Sequence, residues 1–275
     1  MIKKTVPALL FLIFSLRLFG ETGLEITVEE NNGSITIKKS RGTAKTLVIP
    51  DAINGMPVTV IGDRAFSHRD LTGLTIPDSV TTIGEGAFAF NKFTTVSIGS
   101  NVTSIGKGAF TGNKLVSVTI GGNVAEIGRG AFSNNEISSV DIPEGLTVID
   151  DYAFFSNRIR EITFPDSLTL IGEGAFSGNR IVSVVLGSGV VTVRDGAFYN
   201  NLIRSVTIPP GLASLGRRVF DSRSADGRVR GNIDYTDTNG NVLLTTANNF
   251  DACYNSTGKK PGEYTYTEDG WSLRE

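Results

Sequence analysis

A nucleophilic active site would have few residues to draw on, because the 275 residues include one histidine, His68, and one cysteine, Cys253. A Ser-His-Asp or Cys-His arrangement would need His68 as its base. The same count excludes a zinc site made of several His and Cys ligands, and it excludes an intramolecular disulfide. Catalysis of these types therefore depends on where His68 lies.

Four Gly-x-Gly pairs are further candidates for chemistry, since glycine-rich loops can cradle phosphate groups. The pairs lie at 84/86, 106/108, 128/130 and 172/174, and each is followed by Ala-Phe. They recur at a fixed interval, so turn geometry explains them better than phosphate binding does. His68 occupies a variable loop position of the same interval, where we expect an exposed side chain. We therefore predict that the protein is not an enzyme and binds no cofactor.

A repeat of 22 residues organises most of the chain. Seven of its eight phenylalanines follow an alanine, and an aliphatic residue stands five positions before each. The phenylalanines are Phe66, Phe88, Phe110, Phe132, Phe154, Phe176, Phe198 and Phe220. A period of this length predicts stacked units, each of which buries its apolar face against its neighbours.

Each repeat contains a short strand pattern, L-x-x-V-x-I, which is clear at Leu115, Val118 and Ile120. The pattern ends in Gly or Pro, residues that stop the strand and turn the chain. A second apolar pair, Val124 and Ile127, returns across the stack. Stacking would place the strands about 4.8 Å apart and turn the phenylalanines into a continuous internal column.

An asparagine follows six of the phenylalanines by three positions. These residues are Asn91, Asn113, Asn135, Asn157, Asn179 and Asn201. A buried amide without partners is costly. We therefore predict an asparagine ladder, in which the side-chain amides bond to backbone groups of their own and neighbouring turns.

The full pattern, L-x-x-V-x-I-P-x-x-V-x-x-I-G-x-G-A-F-x-x-N, resembles the BspA-like family of bacterial leucine-rich repeats, and it covers residues 45–223 in about eight repeats. The resemblance implies a leucine-rich repeat solenoid with a parallel sheet on its concave face. It also implies a secreted or surface protein that binds other proteins or host matrix components. Many members carry Cys where this chain carries Asn, and a 23-residue repeat is more usual.

The N-terminal residues follow other patterns. Residues 1–20 combine Lys3 and Lys4 with an apolar run, which predicts a secretory signal peptide; a core helix is the alternative. No cysteine follows the run, so we expect no lipid-anchor site. Residues 21–44 contain the hairpin signal Asn32-Gly33 and are predicted to cap the first repeat.

The C-terminal residues 224–275 carry two more hairpin signals, Asn239-Gly240 and Asp269-Gly270. They predict a β-rich cap, although a separate anchoring or sorting module would have a similar sequence. Cys253 lies in this tail, where it is either partly buried or a reactive or intermolecular thiol.

Outward positions of the predicted strands form a flat surface rich in hydroxyl groups. The candidate binding residues on it are Ser117, Thr119, Ser139, Asp141, Glu161 and Thr163. The surface could hydrogen-bond an extended partner, but threonine also suits any exposed strand face without a ligand. It lacks aromatic side chains, which weakens the case for a glycan ligand.

Positive charge gathers at one edge of the later repeats. Arg158 and Arg180 occupy equivalent positions there, as do Arg160 and Arg204. This edge could recognise an acidic protein or a sulfated glycan. It could equally be a solvated edge that discourages aggregation.

Composition limits the partners further. The formal net charge is -2, whereas a general nucleic-acid binder needs a basic surface. No segment after residue 20 is long and apolar enough to span a membrane. We predict a secreted, cell-surface or periplasmic module. It would act as an adhesin or scaffold that binds a protein or matrix component. If the arginine edge is the binding site, we expect that partner to be acidic. The alternatives are a periplasmic structural protein without a host ligand and a glycan-binding protein.

Overall fold

The computed structural model describes residues 12–18, 24–221, 232–236, 242–246, 254, 258–267 and 270–274. Within these ranges the chain forms a β-solenoid of about eight turns, built from short strands that stack in parallel. The predicted leucine-rich repeat solenoid is therefore confirmed. Buried side chains from Leu24 to Phe220, together with Tyr254 and Tyr264, form one core.

The strands fall into four groups. The N-terminal strands are β1 (Leu12–Leu18), β2 (Leu24–Asn31), β3 (Ser34–Gly42), β5 (Ala52–Ile53) and β6 (Met56–Ile61). The L-x-x-V-x-I segments supply what we call the repeat strands: β4 (Thr46–Val48), β7 (Gly73–Thr75), β9 (Thr95–Ser97), β11 (Ser117–Thr119), β13 (Ser139–Val140), β16 (Ser183–Val185) and β18 (Ser205–Ile208). The second apolar segments supply β8 (Thr82–Ile83), β10 (Ser104–Ile105), β12 (Glu126–Ile127), β14 (Val148–Ile149), β15 (Leu170–Ile171), β17 (Thr192–Val193) and β19 (Ser214–Leu215). The C-terminal strands are β20 (Asn232–Thr236), β21 (Val242–Thr246), β22 (Gly262–Thr267) and β23 (Gly270–Arg274).

The continuous sheet of the solenoid comes from the second apolar segments. From β6 to β19 its strands pair in parallel with a fixed register, in which Ile105 lies beside Ile83 and Ile127. The repeat strands, which the sequence presents as the obvious sheet, form interrupted groups instead: β4 with β7, then β9, β11 and β13, then β16 with β18. The two-residue strands were hard to predict because so short a segment carries almost no alternation.

Hairpins lie at both ends of the stack. β2 and β3 pair antiparallel around the Asn32-Gly33 turn, and β3 continues the continuous sheet by pairing in parallel with β6. β1, which falls inside the predicted signal peptide, pairs antiparallel with β2. At the other end β22 pairs antiparallel with both β18 and β23. The predicted hairpin signal at Asn239-Gly240 and Cys253 lie outside the described residues.

The phenylalanine column runs through the whole stack. All eight rings are fully buried. Consecutive rings lie 5.2–5.6 Å apart between centroids and stay within 17° of parallel. Offset-stacked rings at this distance attract one another beyond the gain from burial. The turn that carries each ring is also tied to the next turn; the Phe110 amide, for example, donates to the Ala131 carbonyl at 2.8 Å.

The asparagine ladder is present at all six positions. The Asn135 Nδ2 amide donates to the carbonyl of Phe132 in its own turn at 3.1 Å and to that of Phe110 in the preceding turn at 3.0 Å. Its Oδ1 accepts a hydrogen bond from the Leu115 amide at 3.0 Å. The Phe110 carbonyl also accepts from Asn113, so each of these carbonyls links two successive asparagines. The ladder therefore fixes where each repeat strand begins.

Candidate functional site

The exposed positions of the repeat strands form aligned columns across neighbouring turns. Ser117 lies directly beside Thr95 and Ser139 in the parallel register, and Thr119 lies beside Ser97. All these side chains are exposed. Parallel register places like positions of successive turns next to one another. These aligned hydroxyl side chains on β9, β11 and β13 form the predicted surface, which we call the hydroxyl platform.

The platform rests on a packed layer. Val118 and Val140 alternate with the exposed residues and are buried in the core. The Asn157 Oδ1 accepts a hydrogen bond from the Ile137 amide at 3.0 Å, which anchors the start of the segment that holds Ser139 and Asp141. The buried valines and the asparagine hydrogen bond hold the backbone of these strands in place. The hydroxyl side chains on them therefore lose little conformational entropy when a partner binds.

The platform is interrupted after Asp141. Residues 160–162 form no strand, and Thr163 makes only an isolated bridge with Val185. Glu161 and Thr163 are exposed, but they do not continue the sheet of Ser117 and Ser139. At this turn Phe164 ends the segment where most repeats carry Ile, and its ring packs edge-on against Phe176 at 5.5 Å. The six candidate residues are thus divided between two parts of the surface.

The arginine edge differs from the prediction in one respect. Arg158 pairs with Glu136 of the preceding turn at 3.0 Å, so part of its charge is offset. Lys92 and Asp70 form a similar pair at 2.7 Å in the same column, and Lys92 lowers the pKa of the Asp70 carboxyl by its hydrogen bond and its charge. Such exposed pairs contribute little to stability.

Three arginines of the edge remain available. Arg160, Arg180 and Arg204 are exposed and form no ion pair among the described residues. Farther along the chain, Arg217 pairs with Asp195 and Arg218 with Asp221. The unpaired arginines of the edge therefore lie in three successive turns, those of Thr163, β16 and β18.

Exposed aliphatic side chains are the feature that the sequence analysis missed. Val182, Val185 and Leu202 expose 44%, 47% and 41% of their surface. Each occupies a column that is polar or charged in most other repeats, and this departure from the repeat was visible in the sequence. The residues lie among the available arginines, since Val182 lies between Arg160 and Arg204 in the stack.

His68 and the Gly-x-Gly pairs behave as turn residues. His68 is exposed, has a φ of 54° and stacks on Phe90 with ring centroids 4.5 Å apart. In the pair at 106/108, Gly108 has a φ of 60°, a left-handed conformation that favours glycine. A Cβ atom on Gly106 would lie 2.7 Å from the Gly84 carbonyl carbon. Tight stacking between turns explains these glycines.

The described residues were compared with what a metal site and a membrane-spanning helix require. They contain no group of three or more His, Cys, Asp or Glu side chains that could hold a metal ion. No helix within the same ranges has the length and hydropathy that a membrane span requires.

A family model for the BspA type leucine-rich repeat region matches residues 59–182 and 147–239, with six copies. The chain belongs to this family. The match begins in β6 and includes the platform, the arginine edge and the whole phenylalanine column. No curated protein matches the chain.

Several solved structures of bacterial proteins are similar to the chain. A leucine-rich cell surface protein from Faecalibacterium prausnitzii is 25% identical with a TM-score of 0.51, over 82% of this chain and 60% of that one. A leucine-rich repeat protein from Bacteroides ovatus is 21% identical with a TM-score of 0.46, over 73% and 67%. The pneumococcal vaccine antigen PcpA is 18% identical with a TM-score of 0.46, over 84% and 54%. The chain thus spans little more than half the length of two of these proteins.

Proposed function

We propose that the protein is a non-catalytic, extracytoplasmic binding module that holds a protein partner on the outer side of its repeat strands. The observation that carries this proposal is the register of the repeat strands, which aligns Ser117, Thr119 and Ser139 into one exposed surface on a rigid stack. Rigid, flat arrays of hydrogen-bonding groups suit extended partners because little conformational entropy is lost on binding.

Export from the cytoplasm is part of the same proposal. Residues 1–20 have the basic start and short apolar run of a signal peptide. The Faecalibacterium prausnitzii protein, which shares the fold, is described as a cell surface protein. Removal of residues 1–20 would take β1 away and leave β2 and β3 as the hairpin at the end of the continuous sheet.

The partner class follows from the chemistry of the surface. The platform offers donors and acceptors but no exposed aromatic side chain on which a sugar ring could stack. Phe90, which is 51% exposed, lies away from the platform in the turn that follows the buried ring of Phe88. One face of its ring is occupied by His68, and the other side lies against Gly112. A protein partner therefore suits this surface better than a glycan.

The test is binding of the purified chain to immobilised fibronectin, laminin and collagen, with heparin as a sulfated-glycan probe. Replacing Ser117 and Thr119 with lysine should weaken protein binding at least tenfold if the platform is the site, because bulky charges would displace the partner. Reversing Arg158, Arg180 and Arg204 to glutamate should weaken it, in a salt-dependent way, if the arginine edge is the site.

Circular dichroism provides the folding control, since all five residues are exposed. Binding to heparin but to no protein would replace the proposal with a glycan-binding function. Binding to none of the four probes would contradict an adhesin for matrix components and favour a periplasmic structural role.

A further inference from the structure

Three successive turns, those of Thr163, β16 and β18, combine available arginines with exposed aliphatic side chains. We call this surface the basic–aliphatic patch. It consists of Arg160, Arg180, Val182, Val185, Leu202 and Arg204, all of which are exposed. A partner that covers these aliphatic side chains removes their apolar surface from water, and this burial favours binding at the patch.

Backbone hydrogen bonds establish how the patch is arranged. The Val182 amide donates to the Arg160 carbonyl at 3.3 Å, and the Arg204 amide donates to the Val182 carbonyl at 2.8 Å. Val182 is therefore flanked by an arginine in each neighbouring turn. Leu202 joins the same surface, because its amide donates to the Ile181 carbonyl at 3.0 Å.

An earlier turn provides the contrast. Val116 occupies the column of Val182 and is 46% exposed, with the same pattern of backbone hydrogen bonds to its neighbours. Those neighbours are Thr94 and Ser138, both uncharged. The exposed valine is thus shared by two turns, whereas the flanking arginines belong to the later one. The charge is a local feature of the patch and not a consequence of the repeat.

The combination of arginine and aliphatic side chains restricts the chemical class of ligand that the patch can bind. Arginine binds carboxylates through two parallel hydrogen bonds, and its apolar stem can pack beside an aliphatic side chain. A sulfated glycan would match the arginines but would offer no aliphatic group to Val182 and Leu202. We propose that the basic–aliphatic patch docks an acidic protein segment that carries aliphatic side chains between its carboxylates. This inference rests on the proposed protein-binding function and names the partner's chemistry.

The test uses two peptides of equal charge, four repeats of Glu-Glu-Leu and four repeats of Glu-Glu-Ser, with heparin as a third probe. Titration with the full chain should show about tenfold tighter binding of the leucine peptide, and both affinities should fall as salt rises. Replacing Val182 and Leu202 together with serine should abolish the difference between the peptides while leaving the salt dependence. Reversing Arg160, Arg180 and Arg204 to glutamate should abolish binding of both.

Matched variants in the earlier turns serve as controls. Val116→Ser should leave the preference for the leucine peptide unchanged. Reversal of Lys92, Lys107 and Lys114 to glutamate changes the net charge by the same amount and should reduce binding less than threefold. These residues are exposed, so loss of folding is not expected in either control.

Three outcomes would overturn the inference. The first is equal affinity of the chain for the two peptides. The second is an equal loss of peptide binding in the lysine and arginine reversals. The third is binding of heparin without binding of either peptide. If the peptides fail while a matrix protein still binds through Ser117 and Thr119, the patch is not a docking site but the proposed function stands. If the peptides bind and no matrix protein does, the patch stands and the matrix partner is wrong.

Discussion

Replacing Phe132 with alanine is expected to lower the free energy of unfolding by about 3–5 kcal/mol, because it opens a cavity in the middle of the phenylalanine column. Phe132 is fully buried and stacks on Phe110 at 5.4 Å and on Phe154 at 5.3 Å. Both neighbours belong to other turns, so the change weakens the attachment between turns as well as the core of one turn. Chemical denaturation followed by circular dichroism measures the loss.

Phe66 is the matched control for this effect. It is equally buried and begins the column, where its one stacking partner among the described rings is Phe88 at 5.6 Å. Phe66→Ala deletes the same atoms but one fewer stacking contact, so it should cost about 0.5–1.5 kcal/mol less than Phe132→Ala. A loss below about 1 kcal/mol at Phe132 would be incompatible with a continuous buried column.

The second large effect is expected at Asn135. Asn135→Ala removes the acceptor of the Leu115 amide and one of the two asparagine donors to each of the carbonyls of Phe110 and Phe132. The Leu115 amide would be left buried without a partner, and a small cavity would form. We expect a loss of about 2–4 kcal/mol in the free energy of unfolding, measured in the same denaturation experiment.

Asn123→Ala is the control for the asparagine ladder. Asn123 is exposed and lies in the same repeat, so its replacement should change stability by less than about 0.5 kcal/mol. Hydrogen exchange adds a local readout, because the Leu115 amide should exchange faster in Asn135→Ala than in the parent chain. Unchanged exchange at Leu115 together with unchanged stability would mean that the ladder does not hold the repeat strands.

The 22-residue spacing made the interior predictable. Phenylalanine recurs at eight equivalent positions and asparagine three positions after six of them, and both are buried when every turn repeats the same contacts with its neighbours. Hence the column through Phe132 and the ladder through Asn135 were both expected from sequence, down to the backbone groups of adjacent turns. The ring separation of 5.2–5.6 Å is slightly wider than the strand spacing used in that prediction.

The properties of the surface were harder to predict, because contacts between neighbouring turns determine which of its charges are paired and where its strands form. Residues 22 apart in sequence lie side by side, so Glu136 offsets Arg158 while Arg180 has no such acid beside it. A sequence pattern within one repeat does not show this. The break in the platform near Glu161 was equally hidden; the same segment ends in Phe164, whose ring packs edge-on against Phe176 and Phe198.

Equivalent positions in successive repeats did contain information about the surface. Aligning the repeats column by column exposes Val182 and Leu202 as aliphatic residues at polar positions. The same comparison distinguishes paired from available arginines. For solenoids, the neighbour in the next turn is therefore as informative as the neighbour in the chain.

Photo-cross-linking to the protein partner identified on the matrix panel shows which side of the solenoid binds that partner. A photo-reactive amino acid is introduced at Thr119, at Val182 or at Arg129, all three of which are exposed. Arg129 lies in a Gly-x-Gly turn, away from the repeat strands. We expect cross-links from Thr119 or Val182 and none from Arg129. Cross-links from Arg129 with none from the other two positions would contradict binding on the repeat-strand side of the solenoid.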